Sequence, residues 1–92
     1  MKTIKINEKE YEIIKDNQDA IQIEELTEKL TEYFDEYDYV VGDWAYGKLR
    51  LKGFYEENNE KVSAINSIAN LDDYIKNYCA YGCKYFVLRK KD

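Results

Sequence analysis

The sequence predicts a single α+β domain, spanning residues 1–92, with two helices and a mainly antiparallel sheet in the order ββαββαβ. The chain has 92 residues, which is the length of one small domain. Several short segments alternate polar and apolar residues as half-buried strands do, and two others repeat apolar residues every three or four positions as amphipathic helices do. Hydrophobic residues make up 45% of the chain and charged residues 36%, a balance typical of a folded chain.

The first half of the chain predicts a hairpin and a helix. Residues 2–6 and 9–14 are predicted strands, and Asn7 and Glu8 between them form a tight turn. Residues 23–36 are predicted to be one helix with an acidic outer face, because their apolar side chains fall on a single stripe. Such an acidic face is usually a solvated surface, although it can dock a basic partner. The stripe consists of Ile23, Leu26, Leu30, Tyr33 or Phe34, and Tyr37.

The second half predicts another hairpin, a helix and a last strand. Strands over 39–44 and 48–55 are joined by residues 45–47. Residues 56–61 form a polar loop, and 62–69 are compatible with either a short strand or an irregular segment. A helix begins at Asn70 as its N-cap and ends at Gly82, and a strand covers 83–88. The buried stripe of that helix consists of Leu71, Tyr74, Ile75 and Tyr78.

Composition limits where the protein acts. No apolar run is long enough for a signal peptide or a membrane span, so we expect a cytoplasmic protein with no membrane partner and with reduced cysteines. Residues 1–38 carry 5 Lys and 12 acidic residues, a net charge of −7, whereas residues 39–92 carry a net charge of +2. Only the second part could tolerate an anionic ligand.

The second hairpin contains the most distinctive pattern. Strand alternation places Lys48, Arg50 and Lys52 on one face. With Trp44 and Tyr46 nearby, this row could bind phosphates and stack bases, or it could be a solvated face whose cations pair with carboxylates such as that of Asp43. The glycine-flanked segment 42–47 could likewise be a binding loop, or Trp44 could close the core while the glycines serve the turn.

Catalysis, metals and cofactors find no support in the sequence. The chain has no His, which removes imidazole-based acid–base and nucleophilic schemes, and it contains no phosphate-binding glycine motif. Cys79 and Cys83 are too few ligands for a zinc site, and Cys79 falls at a helix C-terminus, where the helix dipole disfavours a thiolate. We therefore expect no catalytic residue, metal or cofactor, and interpret the two cysteines as a structural pair.

Two long segments of the chain carry a resemblance to a known family. They are Asp-Tyr-Val-Val-Gly-Asp-Trp-Ala-Tyr-Gly-Lys-Leu-Arg-Leu-Lys-Gly-Phe at 38–54 and Leu-Asp-Asp-Tyr-Ile-Lys-Asn-Tyr-Cys-Ala-Tyr-Gly-Cys-Lys-Tyr-Phe-Val-Leu at 71–88. Both resemble the YutD-like family of small proteins from Gram-positive bacteria. The first half of the chain fits more loosely. The resemblance implies a cytosolic bacterial α+β protein, and because the family has no assigned activity, it contributes no catalytic residue.

The leading functional hypothesis is a non-enzymatic module that binds a protein partner. Its candidate binding residues are Asp43, Trp44, Tyr46, Lys48, Arg50 and Lys52. One alternative is binding of single-stranded RNA or DNA by the cationic strand with Trp44 and Tyr46. The other is a thiol redox function at Cys79 and Cys83.

Overall fold

The computed structural model describes residues 2–78 and 83–91. Within them, a five-stranded sheet has the order β1-β2-β5-β3-β4, and every pair of neighbouring strands is antiparallel. The predicted fold class and element order are confirmed. The strands are β1 (Thr3–Ile6), β2 (Lys9–Asn17), β3 (Tyr39–Ala45), β4 (Lys48–Phe54) and β5 (Tyr85–Lys90). The α-helices are α1 (Ile23–Lys29) and α2 (Leu71–Tyr78), and 3-10 helices cover Glu32–Glu36 and Ile68–Asn70.

Both hairpins use two-residue turns with left-handed backbone. The φ angles are 51° and 68° at Asn7 and Glu8, and 53° and 76° at Tyr46 and Gly47. Turns with positive φ at both central residues match the right-handed twist of the flanking strands, so they hold each hairpin in a fixed register. The tight turn predicted at Asn7 and Glu8 is confirmed.

The helix predicted over 23–36 is wrong in its length. α1 ends at Lys29, Thr31 is extended, and a 3-10 helix begins at Glu32. The side chain of Asn7 explains the break, because its amide donates to the carbonyls of Thr27 and Leu30 at 3.1 and 3.0 Å. The Thr27 carbonyl is the acceptor that a continuing helix would have offered to the Thr31 amide. A contact from a distant turn therefore terminates the helix.

The second and last strands also differ from the prediction. β2 continues to Asn17 rather than residue 14, and its pairing with β5 shifts register between Ile13 and Lys15. That bulge interrupts the alternation, so the polar residues beyond it do not resemble a strand in sequence. β5 covers Tyr85–Lys90 rather than 83–88, so Arg89 and Lys90 lie within the strand.

The segment before α2 is irregular. Residues 62–69 contain no strand, only one parallel bridge between Tyr55 and Ser67. Asn70 does not act as the N-cap that the sequence predicted. It ends a 3-10 helix, and its side-chain amide donates to the Ala64 carbonyl at 2.9 Å. The Ser67 hydroxyl instead accepts from the Ala69 amide. The predicted helix end at Gly82 lies outside the described residues.

The two α-helices cover opposite faces of the sheet. Val40 belongs to the apolar cluster that contains Leu26 of α1, whereas Val41 belongs to the cluster packed against Tyr74 of α2. Successive strand residues point to opposite faces, so α1 and α2 lie on different sides. The α1 side holds the larger core, with fully buried Phe86 at its centre. This arrangement decides which functional residues share a surface.

Candidate functional site

The cationic row of β4 lies on the α2 side of the sheet. Lys48, Arg50 and Lys52 pair with Ala45, Asp43 and Val41 of β3, and Val41 belongs to the α2-side cluster. Residues directly opposite in an antiparallel pair share a face, so the three cations project on that side. The three cations therefore share one face, as strand alternation predicted.

Trp44 lies on the opposite face. It pairs with Leu49, packs against the α1-side core, and donates its indole N–H to the Ala20 carbonyl at 2.8 Å. The sequence grouped Trp44 with the cations because the residues are neighbours along the hairpin. The strand register places Trp44 and the cations on opposite faces of the sheet. The position of Trp44 matches the interpretation that it closes the core.

Arg50 and Asp43 form a bidentate pair across β3 and β4. Nε and an Nη of Arg50 donate to the two carboxylate oxygens of Asp43 at 3.0 and 2.7 Å. The Asp43 side chain is 2% exposed and that of Arg50 48% exposed. Hydrogen bonding to Asp43 raises the pKa of Arg50 above its ordinary value, with smaller contributions from Tyr74 and Tyr46. Because Arg50 also donates to the Tyr78 carbonyl at 2.9 Å, it links the sheet to the end of α2.

Tyr46 is the most exposed aromatic residue that the structure describes. It occupies the first position of the hairpin turn at φ 53° with a relative exposure of 103%. A non-glycine, non-Asn residue in this conformation carries backbone strain, and its ring here gains no packing in return. The companion turn residue, Gly47, also has positive φ, with open space where a Cβ would lie.

A cleft adjoins the cationic row where α2 meets the segment before it. Its volume is about 560 Å³, and its walls include Lys52, Ile65, Tyr74 and Tyr78. The Lys52 ammonium lies 5.3 and 5.8 Å from the ring centres of Phe54 and Tyr74, within range of cation–π attraction. Ile65 and Tyr78 are 78% and 65% exposed, so one wall of the cleft presents apolar surface to solvent.

We define the β4–α2 surface as the exposed and half-buried residues that surround this cleft and the adjacent hairpin turn. Its members are Tyr46, Lys48, Arg50, Lys52, Ile65 and Tyr78. The sequence missed two of them. Tyr78 was assigned to the buried stripe of the helix, but it is 65% exposed. Ile65 lies in the segment 62–69, whose structure the sequence left open between a strand and an irregular segment.

A separate tyrosine cluster lies beside the 3-10 helix Glu32–Glu36. The Tyr33 and Tyr37 hydroxyls are 3.3 Å apart, and the Tyr37 ring stacks near that of Tyr55 at 4.8 Å between centres. The hydrogen bond to Tyr33, followed by burial, raises the pKa of Tyr37 to about 12. The Tyr37 hydroxyl therefore stays protonated across the physiological pH range.

The cysteine pair is only partly covered, since Cys79 lies outside the described residues. Cys83 is disulfide-bonded, and its backbone carbonyl accepts a hydrogen bond from the side-chain amide of Asn17 at 3.4 Å. The reduced state expected from composition is thus not the state of Cys83. A thiol redox function stays a prediction.

The described part of the chain offers no site for a metal. Within residues 2–78 and 83–91, no group of three or more Cys, Asp or Glu could hold an ion. Every buried side-chain nitrogen and oxygen in those ranges has a hydrogen-bond partner. No described helix is long and apolar enough to span a membrane.

Comparisons with known proteins agree on one family. The family model described as "Putative antitoxin YutD-like" matches residues 5–89. The protein named "Putative antitoxin YutD" from Bacillus subtilis strain 168 is 41% identical over 87 residues, covering 95% of this chain and 96% of its own. The solution NMR structure of protein yutD from B. subtilis superposes with a TM-score of 0.80 at 40% identity, covering 99% of this chain and 83% of that one. The chain belongs to the YutD-like family, as its two hairpin and helix signatures implied.

Proposed function

We propose that this protein is a non-enzymatic binding module of the antitoxin type, which binds and neutralises a protein partner in the cytoplasm through the β4–α2 surface. The observation that carries the proposal is the meeting of three exposed apolar or aromatic residues, Tyr46, Ile65 and Tyr78, with a row of cations. Tyr and Arg are enriched in the energetically dominant parts of protein interfaces, and Tyr provides large contact area at small entropic cost. The family's description as an antitoxin supports a protein as the partner.

The strain at Tyr46 supports the same assignment. Asn or Gly would fit the turn with less strain, and the Tyr46 side chain is fully exposed. A large residue kept exposed in an unfavourable conformation is consistent with a contact made outside the chain.

Single-stranded nucleic acid is the less supported ligand. Trp44 is engaged with the core, on the face away from the cations, and two donors of Arg50 already bind Asp43. This leaves Lys48 and Lys52 as the cations available to phosphate, and the chain carries a net charge of −5. Nucleic-acid-binding domains are usually basic.

The test is affinity capture from a lysate of the source bacterium, followed by a growth assay. We compare the wild type with the Lys48→Glu/Lys52→Glu variant and with a Tyr46→Asn variant. A Lys2→Glu/Lys5→Glu variant is the matched control, because it changes the net charge equally in and directly before β1, at the opposite edge of the sheet. Circular dichroism verifies that all four proteins are folded.

We expect one partner to be retained by the wild type and the control and lost from both surface variants. Expression of that partner alone should slow growth, and co-expression with the wild-type protein should restore it. Equal capture by all variants would remove the β4–α2 surface from the proposal. A partner that leaves growth unaffected would contradict the antitoxin role.

A further inference from the structure

The free edge of β4 offers backbone hydrogen bonds beside the β4–α2 surface. The two-residue turn at Tyr46 and Gly47 makes Ala45 and Lys48 a hydrogen-bonded pair, and the pattern repeats at Asp43 and Arg50. The alternate residues of β4, namely Leu49, Leu51 and Gly53, therefore direct their N–H and C=O groups away from β3. They lie at the edge of the sheet.

The continuation of β4 supports this assignment of directions. Tyr55 is next in the same alternation, and it uses outward groups: its amide donates to the Asn66 carbonyl at 2.7 Å, and its carbonyl accepts from the Ile68 amide at 2.9 Å. Residues 66–68 of the same chain thus already pair with this edge through a short parallel bridge. That bridge ends at Tyr55, and no described backbone group bonds to the outer side of Leu49, Leu51 or Gly53.

The two edges of the sheet are unequal. β1 has four residues, whereas β4 has seven, so β4 offers the longer template for strand addition. Cations on an edge strand oppose pairing between identical chains. If two copies paired through β4, their rows of Lys48, Arg50 and Lys52 would face one another on the same side, which is unfavourable. The edge therefore selects against a second copy of this chain.

The same cations favour an acidic strand. Arg50 is neutralised by Asp43, but no ion pair is described for Lys48 or Lys52. Side chains of an added strand that project to the α2 side would pass these two ammonium groups at alternate positions. Beyond Lys52 they would reach the cleft lined by Ile65, Tyr74 and Tyr78.

We propose that β4 accepts an extended segment of the protein partner as a sixth strand, with acidic residues at alternate positions facing Lys48 and Lys52 and an apolar residue entering the cleft. The main-chain bonds would supply affinity, and the alternating side chains would supply specificity, as in other cases of strand addition. This inference rests on the proposed function in taking the partner to be a protein.

The experiment uses synthetic peptides and amide hydrogen exchange measured by NMR on the whole chain. The probe is acetyl-Val-Glu-Val-Glu-Val-Glu-Val-amide, and its charge-reversed control replaces each Glu with Lys. Two further peptides carry N-methyl groups on alternate amides, one set on each edge of the strand. For a given direction of the added strand, only one of these sets can face β4, so each methylated peptide controls for the other.

With the acidic peptide, we expect exchange at Leu49, Leu51 and Gly53 to slow by roughly tenfold or more, while β1 amides are unchanged. One methylated peptide should lose this protection and the other should keep it. Absence of protection, equal protection by the basic peptide, or equal effects of the two methylated peptides would overturn the proposal. A concentration-dependent dimer that protects the same amides without peptide would show that the sixth strand comes from a second copy of this chain, and would overturn the proposal of a partner segment.

The outcomes separate this inference from the proposed function. If a partner is captured through the β4–α2 surface but the β4 edge amides exchange freely in that complex, strand addition is wrong and the binding role stands. If no partner is captured but the acidic peptide protects these amides, the antitoxin role is wrong and β4 is still a strand acceptor.

Discussion

Replacing Arg50 with Met tests whether the Asp43–Arg50 pair is part of the fold or a charge available to a ligand. The substitution keeps most of the aliphatic stem and removes the guanidinium, leaving the Asp43 carboxylate without its two charged donors. Breaking a buried ion pair from one side costs about 3–5 kcal/mol, because an uncompensated charge remains. Arg50 is itself half exposed, so we expect the lower value, about 3 kcal/mol.

The assay is urea unfolding followed by circular dichroism. With a denaturant dependence of about 1.5 kcal/mol per molar, a loss of about 3 kcal/mol lowers the unfolding midpoint by roughly 2 M. Lys52→Met is the matched control, since it removes a cation from the same strand face without orphaning a carboxylate. It loses cation–π contacts worth about 0.5–1 kcal/mol.

A double-mutant cycle isolates the pair. The Asp43→Val/Arg50→Met variant places apolar side chains beside Val41, so it should be less destabilised than Arg50→Met alone. We expect a coupling free energy of about 2 kcal/mol from the cycle with the single Asp43→Val variant. If Arg50→Met cost less than about 1 kcal/mol, water rather than Arg50 would satisfy Asp43 and the reasoning would be refuted.

Three further predictions concern the turn, the close contact in β3 and the tyrosine cluster. Tyr46→Asn should stabilise the free domain by about 0.5–1 kcal/mol in urea unfolding while weakening partner binding. If the variant lost stability as well as partner binding, the ring would serve the fold. Gly42→Ala should lower the free energy of unfolding more than Gly47→Ala does, because a Cβ at Gly42 would lie 2.2 Å from the Phe86 ring. Gly47→Ala should cost about 1 kcal/mol, from its positive φ alone. Equal unfolding midpoints of the two variants would contradict this. The pKa of Tyr37 rises from 10.0 to about 12 on folding, so this residue's stabilisation is complete below pH 10 and is lost as the pH rises to 12. In urea unfolding, the free energy of unfolding of Tyr37→Phe should decline less steeply over that pH range than that of the wild type. Parallel declines in the two proteins would exclude Tyr37 as the source of the pH dependence.

The sequence by itself determined the elements whose signals are local. Alternation in β4 placed Lys48, Arg50 and Lys52 on one face, and the apolar repeat located α1 and α2. Composition also removed catalytic schemes that need histidine. These conclusions depend on residues within a few positions of one another, where strand and helix periodicities act.

Long-range contacts decided the rest. The Asn7 side chain ends α1 by binding carbonyls 20 and 23 residues away, a contact that no local pattern contains. The bulge in β2 depends on its pairing with β5, which is the last strand of the chain. Helix length and strand length are therefore partly set by partners remote in sequence.

The binding surface itself needed the tertiary structure. Trp44 is the most prominent residue of the hairpin in sequence, yet its side chain belongs to the core because β3 is covered by opposite layers on its two faces. Ile65 and Tyr78 joined the surface only because the fold places both, still exposed, around one cleft with Lys52 of β4. The sequence determined which residues the hairpin contains, and only the packing of both faces decided which of them can meet a partner.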